Sequence, residues 1–132
     1  MQSELYKTLT TLEKLSPKAL EAIGQEHLEY SNYKIIGYWD ETKQYYEEIT
    51  LKKNCFVKLS SYSIEKHFIN SSKNFWIKLK FKIQAEEVNT NINNIIGEMI
   101  LILDHQFQYI DENWLIDVNS PFVVAKVEKE IN

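Results

Sequence analysis

The chain has 132 residues, of which 44% are hydrophobic and 13% aromatic, and its formal net charge is −4. This length is typical of one domain, so we predict a single domain over residues 1–132. The acidic balance argues against nucleic-acid binding, because such proteins need an excess of cations to displace counterions from phosphates.

One cysteine, Cys55, excludes an intrachain disulfide and favours a reducing compartment, so we predict a cytoplasmic protein. The first residues lack the basic and apolar regions of a secretory signal. No stretch approaches the ~20 apolar residues of a transmembrane helix, and we predict no transmembrane segment. The alternative that the chain is a piece of a longer membrane-tethered protein stays open.

Two amphipathic helices are predicted over residues 3–30. Leu5, Leu9 and Leu12 recur at helical spacing. Ser16 and Pro17 then mark the start of a second helix, because Ser caps helices well and Pro suits the first helical position. An amphipathic helix needs a surface to pack on, and a sheet is the natural candidate.

From residue 33 the hydrophobic period changes to two. Residues 34–39 and 44–51 flank the polar tetrad 40–43, which predicts a hairpin. A rival interpretation makes Asp40 the cap of a short third helix. We favour the hairpin because Tyr, Ile and Thr prefer pleated surfaces.

Longer strands follow. Residues 75–83 place five apolar side chains on one face, which a helix cannot do. Apolar residues of both parities near the start of 95–110 predict a central strand. The other predicted elements are a bent or bulged strand over 56–68, a turn over 111–113, a last strand over 114–118 and a fraying tail over 119–132. The predicted fold class is therefore α+β, with N-terminal helices packed on a curved antiparallel sheet of four to six strands over 33–118.

Two stretches carry a resemblance to a known superfamily. They are residues 74–81 (Asn-Phe-Trp-Ile-Lys-Leu-Lys-Phe) and 109–117 (Tyr-Ile-Asp-Glu-Asn-Trp-Leu-Ile-Asp). Together with two leading helices they resemble the nuclear transport factor 2-like superfamily, which implies a curved sheet wrapped into a cone around a helix. Residues 33–51 depart from that pattern because they are longer and more strand-like.

Catalytic and metal-binding signals are weak. The three histidines lie on different predicted elements without metal-ligand spacing, so we predict no metal and no cofactor. His105 is the one weak catalytic candidate, as a general base in a cone pocket with Asp40 or Tyr62 as its polar partner. Asp104 cannot easily bond His105, because neighbouring strand residues point to opposite faces.

Lysines 78, 80 and 82 form a basic row beside Trp76, at a spacing close to that of phosphates along a strand. Lysines on an outer strand face also solvate a sheet and block edge pairing. Because the whole chain is acidic, we favour this second interpretation.

A dense aromatic cluster gives the best hint of a binding surface. It comprises Tyr30, Tyr33, Tyr38, Trp39, Tyr45 and Tyr46. Tyr and Trp are favoured in protein interfaces, and strand positions of opposite parity cannot all be internal. We predict that Tyr38, Trp39, Tyr45 and Tyr46 bind a partner.

Three functions are compatible with the sequence. The first is a non-enzymatic domain that binds another protein through the Tyr/Trp-rich surface, with a homodimer left open. The second is a small acidic inhibitor or immunity-type protein that neutralises a basic partner. The third is an enzyme with His105 as its base.

Overall fold

The computed structural model describes residues 3–66, 75–86 and 94–127. Within them, two helices precede seven strands. Their bounds are α1 Glu4–Lys14, α2 Pro17–Tyr30, β1 Lys34–Trp39, β2 Tyr45–Leu51, β3 Cys55–Lys66, β4 Phe75–Ala85, β5 Ile95–Leu103, β6 Tyr109–Ile116 and β7 Val123–Lys126. The α+β class with N-terminal helices on curved antiparallel sheet is confirmed.

Helix α1 begins where Ser3 accepts a hydrogen bond from the Tyr6 amide. Leu12 is buried, as its place in the predicted stripe requires, but Leu5 and Leu9 are exposed. The buried side of α1 passes through Thr8 and Leu12 instead, so the expected inward stripe is only partly correct.

Helix α2 starts as predicted, with Ser16 accepting from the Ala19 amide and Pro17 in the first turn. Its buried face includes Gly24. A Cβ atom added to Gly24 would stand 2.7 Å from Cζ of Phe81 on β4. Gly24 therefore lets a buried aromatic ring pack directly against the helix backbone, which offsets its poor helix propensity.

The hairpin predicted around residues 40–43 is confirmed, and the alternative third helix is wrong. β1 pairs with β2 from Lys34 opposite Thr50 to Trp39 opposite Tyr45. The carboxylate of Asp40 accepts hydrogen bonds from the Thr42 and Gln44 amides and so fixes the turn.

Strands β3, β4, β5 and β6 form a four-stranded antiparallel sheet in chain order. The bulge expected in the first long strand lies between Leu59 and Ser61, and residues 67–68 of that predicted strand lie outside the described residues. β4 buries the five alternating apolar residues as predicted. β5 is central, between β4 and β6.

The long strand predicted over 95–110 is wrong in its second half. β5 ends at Leu103, and a turn follows in which Asp104 Oδ1 accepts from the amides of Gln106 and Gln108. Phe107 adopts a positive φ of 63° in this turn. Residues 111–113, predicted as a turn, lie inside β6 instead.

A second sheet is formed in the order β1-β2-β7. The predicted tail contains β7, whose residues Val123–Lys126 pair with Glu48–Leu51 of β2. The described strands therefore form two sheets of three and four strands rather than one sheet of four to six. Residues 128–132 of the tail lie outside the described part of the chain.

Helix α2 reaches both edges of the four-stranded sheet. Glu21 and Gln25 accept hydrogen bonds from the backbone amides of Leu59 and Val57 on β3. Two residues after Gln25 along the helix, His27 contacts Glu112 on β6. One hydrophobic cluster joins residues of both helices and both sheets.

Candidate functional site

A groove of about 660 Å³ lies between the edge strands of the two sheets. We call it the edge groove. It is lined by residues 34–39 of β1 on one side and by Tyr109 and residues 111–114 of β6 on the other, with Ser31 at the end of α2. β1 ends one sheet and β6 ends the other, so each contributes an outer edge without a neighbouring strand among the described residues.

The β1 side of the edge groove presents two exposed apolar side chains. Ile36 is 73% exposed and Trp39 is 64% exposed. Ile35 and Tyr38 are buried, so strict alternation breaks between them, where Gly37 adopts a positive φ of 74°. Glycine tolerates this conformation without strain, and the break lets both exposed residues line the groove.

Hydrogen bonds at the two ends of the hairpin agree with that break. The Leu51 amide donates to the Tyr33 carbonyl, and the Asp40 amide donates to the Gln44 carbonyl. Seven positions separate Tyr33 from Asp40 in the chain, whereas a regular antiparallel ladder repeats every two residues. The ladder therefore changes phase within β1, and the Trp39 backbone groups face away from β2.

The β6 side is ordered by its pairing with β5. The Asp117 amide donates to the Ile96 carbonyl, so alternate residues from Asp117 backwards face β5. The backbone groups of Glu112, Trp114 and Ile116 consequently face outward. At Ile116 they are already used, because the Tyr38 hydroxyl accepts from its amide at 2.8 Å and donates to its carbonyl at 3.4 Å.

The predicted binding residues separate into two groups. The rings of Trp39 and Tyr45 lie 5.0 Å apart, and both side chains are at least partly exposed. Tyr38 is only 6% exposed and belongs to the hydrophobic core, so its predicted contact with a partner does not fit its burial. Tyr46 is half-buried against Tyr38 and donates a hydrogen bond to Asp40.

Two other members of the predicted aromatic cluster lie elsewhere. Tyr30 is exposed at the end of α2, and Tyr33 lines a separate cleft beside Cys55. The structure adds Tyr109 and Trp114, which we did not place in the binding surface. No spacing pattern links these β6 residues to β1, because they meet only through the tertiary fold.

A contact between a histidine of α2 and a carboxylate of β6 joins these two elements beside the edge groove. His27 bonds Glu112 and stacks on Tyr109 at 5.2 Å and on Trp114 at 6.4 Å. The bond from His27 is the main reason that the pKa of Glu112 lies below its usual value, with a smaller contribution from the nearby Trp114 indole. The Trp114 Nε1 atom is buried without a hydrogen bond of good geometry. Since 85 positions separate His27 from Glu112, sequence spacing gave no signal for this pair.

Negative charge predominates in the edge groove. Among the described residues that line it, Lys34 is the one cation, and it pairs with Glu48 at 3.3 Å. Asp111 is exposed beside Glu112. The pKa of the Tyr109 phenol is raised by partial burial and then by the charges of Glu112 and Asp111. Because Glu112 is already bonded to His27, an approaching cation meets chiefly the exposed carboxylate of Asp111.

The prediction that His105 lies on a strand is wrong, because this residue lies in the turn after β5. Its backbone carbonyl accepts from the Thr8 hydroxyl, and its ring packs near Phe75 at 5.9 Å. Asp104 serves the turn and shows no bond to His105 among the described contacts. His105 lines neither the edge groove nor three other clefts of the described chain, and Asp40 and Tyr62 do not converge on it there.

The remaining candidates have structural partners. Lys78 pairs with Glu65 at 2.8 Å and Lys80 with Glu98 at 3.7 Å, so the basic row is partly neutralised. Burial raises the pKa of the Cys55 thiol to about 11, which keeps it protonated at neutral pH. No group of three or more potential metal ligands occurs among the described residues, and His67 lies outside them.

Comparison of the chain with protein-family models, curated proteins and solved structures found no match. The resemblance to the nuclear transport factor 2-like superfamily therefore stays a prediction. Neither of the two described helices has the length and hydropathy needed to cross a membrane.

Proposed function

We propose that this chain is a non-enzymatic, cone-like protein-interaction domain that binds its partner in the edge groove. One observation carries the proposal: a largely exposed tryptophan, Trp39, stands where the outer edges of two sheets face each other across a groove. Tyr45 packs on Trp39, and Ile36 extends the apolar surface along β1.

Two physical arguments support this proposal. Tryptophan and tyrosine contribute most of the binding energy at many interfaces, because they bury a large area while losing few rotatable bonds. Proteins also usually block exposed strand edges, because an open edge pairs with other chains. An edge that is left open beside exposed aromatic side chains is therefore better explained by binding than by stability.

Replacing Trp39 with alanine tests the proposal. We expect Trp39→Ala to weaken partner capture more than about tenfold, as loss of a central aromatic anchor does. The free energy of unfolding is expected to change by less than about 0.5 kcal/mol, because the side chain is mostly exposed. The measurements are quantitative mass spectrometry of captured proteins and chemical denaturation of the same samples.

Tyr62→Ala is the matched control. Tyr62 is an exposed aromatic residue on β3, outside the edge groove, and its truncation should leave capture unchanged. Equal capture by wild type and Trp39→Ala would contradict the proposal. Equal loss in both variants would show non-specific adhesion of aromatic surface instead of a defined site.

A further inference from the structure

We propose that the edge groove receives an extended, basic segment of the partner protein, which adds as a strand to an open sheet edge. This inference rests on the proposed function and names the chemistry of the partner. Three observations support it. The edge strands have outward backbone groups, the Tyr38 hydroxyl already bonds the amide and the carbonyl of Ile116, and carboxylates line the groove.

The backbone geometry suits an added strand. Outward-facing residues of an edge strand offer an amide and a carbonyl every second position, which is the pattern that an extended peptide completes. On β6 the outward residues are Glu112, Trp114 and Ile116. The six residues of β1 span about 20 Å, so a segment of similar length matches this edge.

Tyr38 shows that this edge accepts such bonds. Its hydroxyl both accepts from the Ile116 amide and donates to the Ile116 carbonyl. These are the two bonds that a residue on a neighbouring strand would make with Ile116. Tyr38 thus closes the edge at one end, and Trp114 is the next outward residue, where a bound segment would continue the ladder.

The Asp111 side chain occupies one further outward backbone group of β6. Its carboxylate accepts from the Glu112 amide, as a local cap would. The Trp114 backbone and the Glu112 carbonyl remain for a partner strand. On the opposite side, the outward backbone of Trp39 offers the same kind of groups, so either edge can pair with the segment.

Charge complementarity selects a basic segment. Asp111 and Glu112 line the groove, while Lys34 is held by Glu48. Beyond the groove, at the other end of β1, Glu41 is exposed in the turn after Trp39, next to Asp40, whose carboxylate binds the turn amides. In a strand, alternate side chains point to one face, so Lys or Arg at every second position would meet the carboxylates while apolar residues meet Ile36 and Trp39.

The test selects short random peptides of ~12 residues, displayed on phage, against the complete chain. We expect the enriched peptides to alternate apolar and polar residues and to carry net positive charge. A synthetic copy should lose binding when the amides of alternate residues are N-methylated, because strand addition depends on backbone hydrogen bonds.

Indole N–H signals in NMR spectra locate the bound peptide. The chain has three tryptophans, and Trp39 and Trp114 line the edge groove whereas Trp76 lies on β4. We expect the Trp39 and Trp114 signals to shift on peptide addition and the Trp76 signal to stay in place. Shifts confined to Trp76, or tolerance of N-methylation in both alternate sets, would overturn the proposal.

Asp111→Asn isolates the charge. It keeps an oxygen for the Glu112 amide but removes the negative charge, so affinity for the basic peptide should fall about threefold with a weaker dependence on salt. The matched control is Asp117→Asn, which also replaces an exposed aspartate that accepts a local amide but lies outside the groove. The control should leave affinity unchanged.

Several outcomes contradict the inference. Enrichment of acidic or neutral peptides, of helical periodicity, or of no sequence at all would overturn it. A wild-type dimer that Trp39→Ala converts to a monomer would show that a second copy of the chain fills the groove. If Trp39→Ala abolishes partner capture while no basic peptide is selected, the proposed function survives and the strand-addition inference fails.

Discussion

Helix α2 contacts the two edges of the four-stranded sheet in different ways. At the β3 edge, Glu21 and Gln25 of α2 accept hydrogen bonds from two outer backbone amides. At the β6 edge, His27 of α2 contacts the Glu112 side chain and bonds no outer amide, so the Trp114 backbone and the Glu112 carbonyl are left to the groove. Because unblocked edges invite pairing with other chains, the difference indicates that β3 is protected at Val57 and Leu59, whereas β6 is available at Trp114.

Tyr38→Phe should give the largest loss of stability among the changes that test this contrast. It removes the hydroxyl that serves the Ile116 backbone, where both residues are buried. An unsatisfied buried amide lowers the free energy of unfolding by about 1–3 kcal/mol. Urea denaturation measures this loss as a lower midpoint with an unchanged slope.

Tyr62→Phe is the control for Tyr38→Phe, since Tyr62 is exposed on β3. We expect it to change the free energy of unfolding by less than about 0.5 kcal/mol. If Tyr38→Phe were as stable as this control, the hydroxyl would not be closing the β6 edge, and the supposed end of the groove would be open as well.

Glu21→Ala should open the protected edge. The Leu59 amide would lose its charged acceptor, which lies at 2.8 Å, and the free energy of unfolding should fall by about 1–2 kcal/mol. The exposed β3 amide should also promote concentration-dependent association, measured by sedimentation.

Two variants of α2 test whether the effect comes from that acceptor. Glu21→Gln keeps an oxygen for the Leu59 amide and should remain closer to wild type. Glu26→Ala removes an exposed carboxylate from the same helix and should do little. Association in Glu26→Ala equal to that in Glu21→Ala would attribute the effect to lost charge and not to the unblocked edge.

The parts of this fold that follow from local pattern could be predicted. Phe81 and its alternating neighbours on β4 have to share one face, and Ser16 with Pro17 has few alternatives to a helix start. The turn after β5 was not predicted, because its sequence lacks the Gly, Pro or Asn that is typical of turns. It is held instead by Asp104, which accepts from the amides of Gln106 and Gln108, and by the positive φ of Phe107.

The candidate site depends more on long-range contacts, and so less of it was predictable. Trp39 and Tyr45 were predicted from the local density of aromatic residues, and they face each other in the hairpin. Tyr38 was assigned to the surface although Gly37 changes which residues of β1 face inward. The β6 side was missed because its polar stretch at 111–113 reads locally as a turn, whereas pairing with β5 makes it strand.

The smallest expected effect is the pH dependence of the His27–Glu112 contact. The folded chain holds the pKa of Glu112 below its ordinary value, mainly through the bond from His27. A carboxyl with a depressed folded pKa stabilises the protein above its unfolded pKa, and that contribution disappears as pH falls through the folded value. Wild type should therefore lose stability more steeply than Glu112→Gln as the pH falls below the ordinary glutamate pKa of about 4.3.

Glu26→Gln serves as the control, because it removes a carboxylate from the same region of α2 without touching the His27–Glu112 bond. Urea denaturation across this pH range should give Glu26→Gln the wild-type slope and Glu112→Gln a flatter one. Equal slopes in all three proteins would mean that the contact adds no acid-sensitive stability at the β6 edge. Attachment of that edge to α2 would then depend on stacking of His27 with Tyr109 and Trp114 alone.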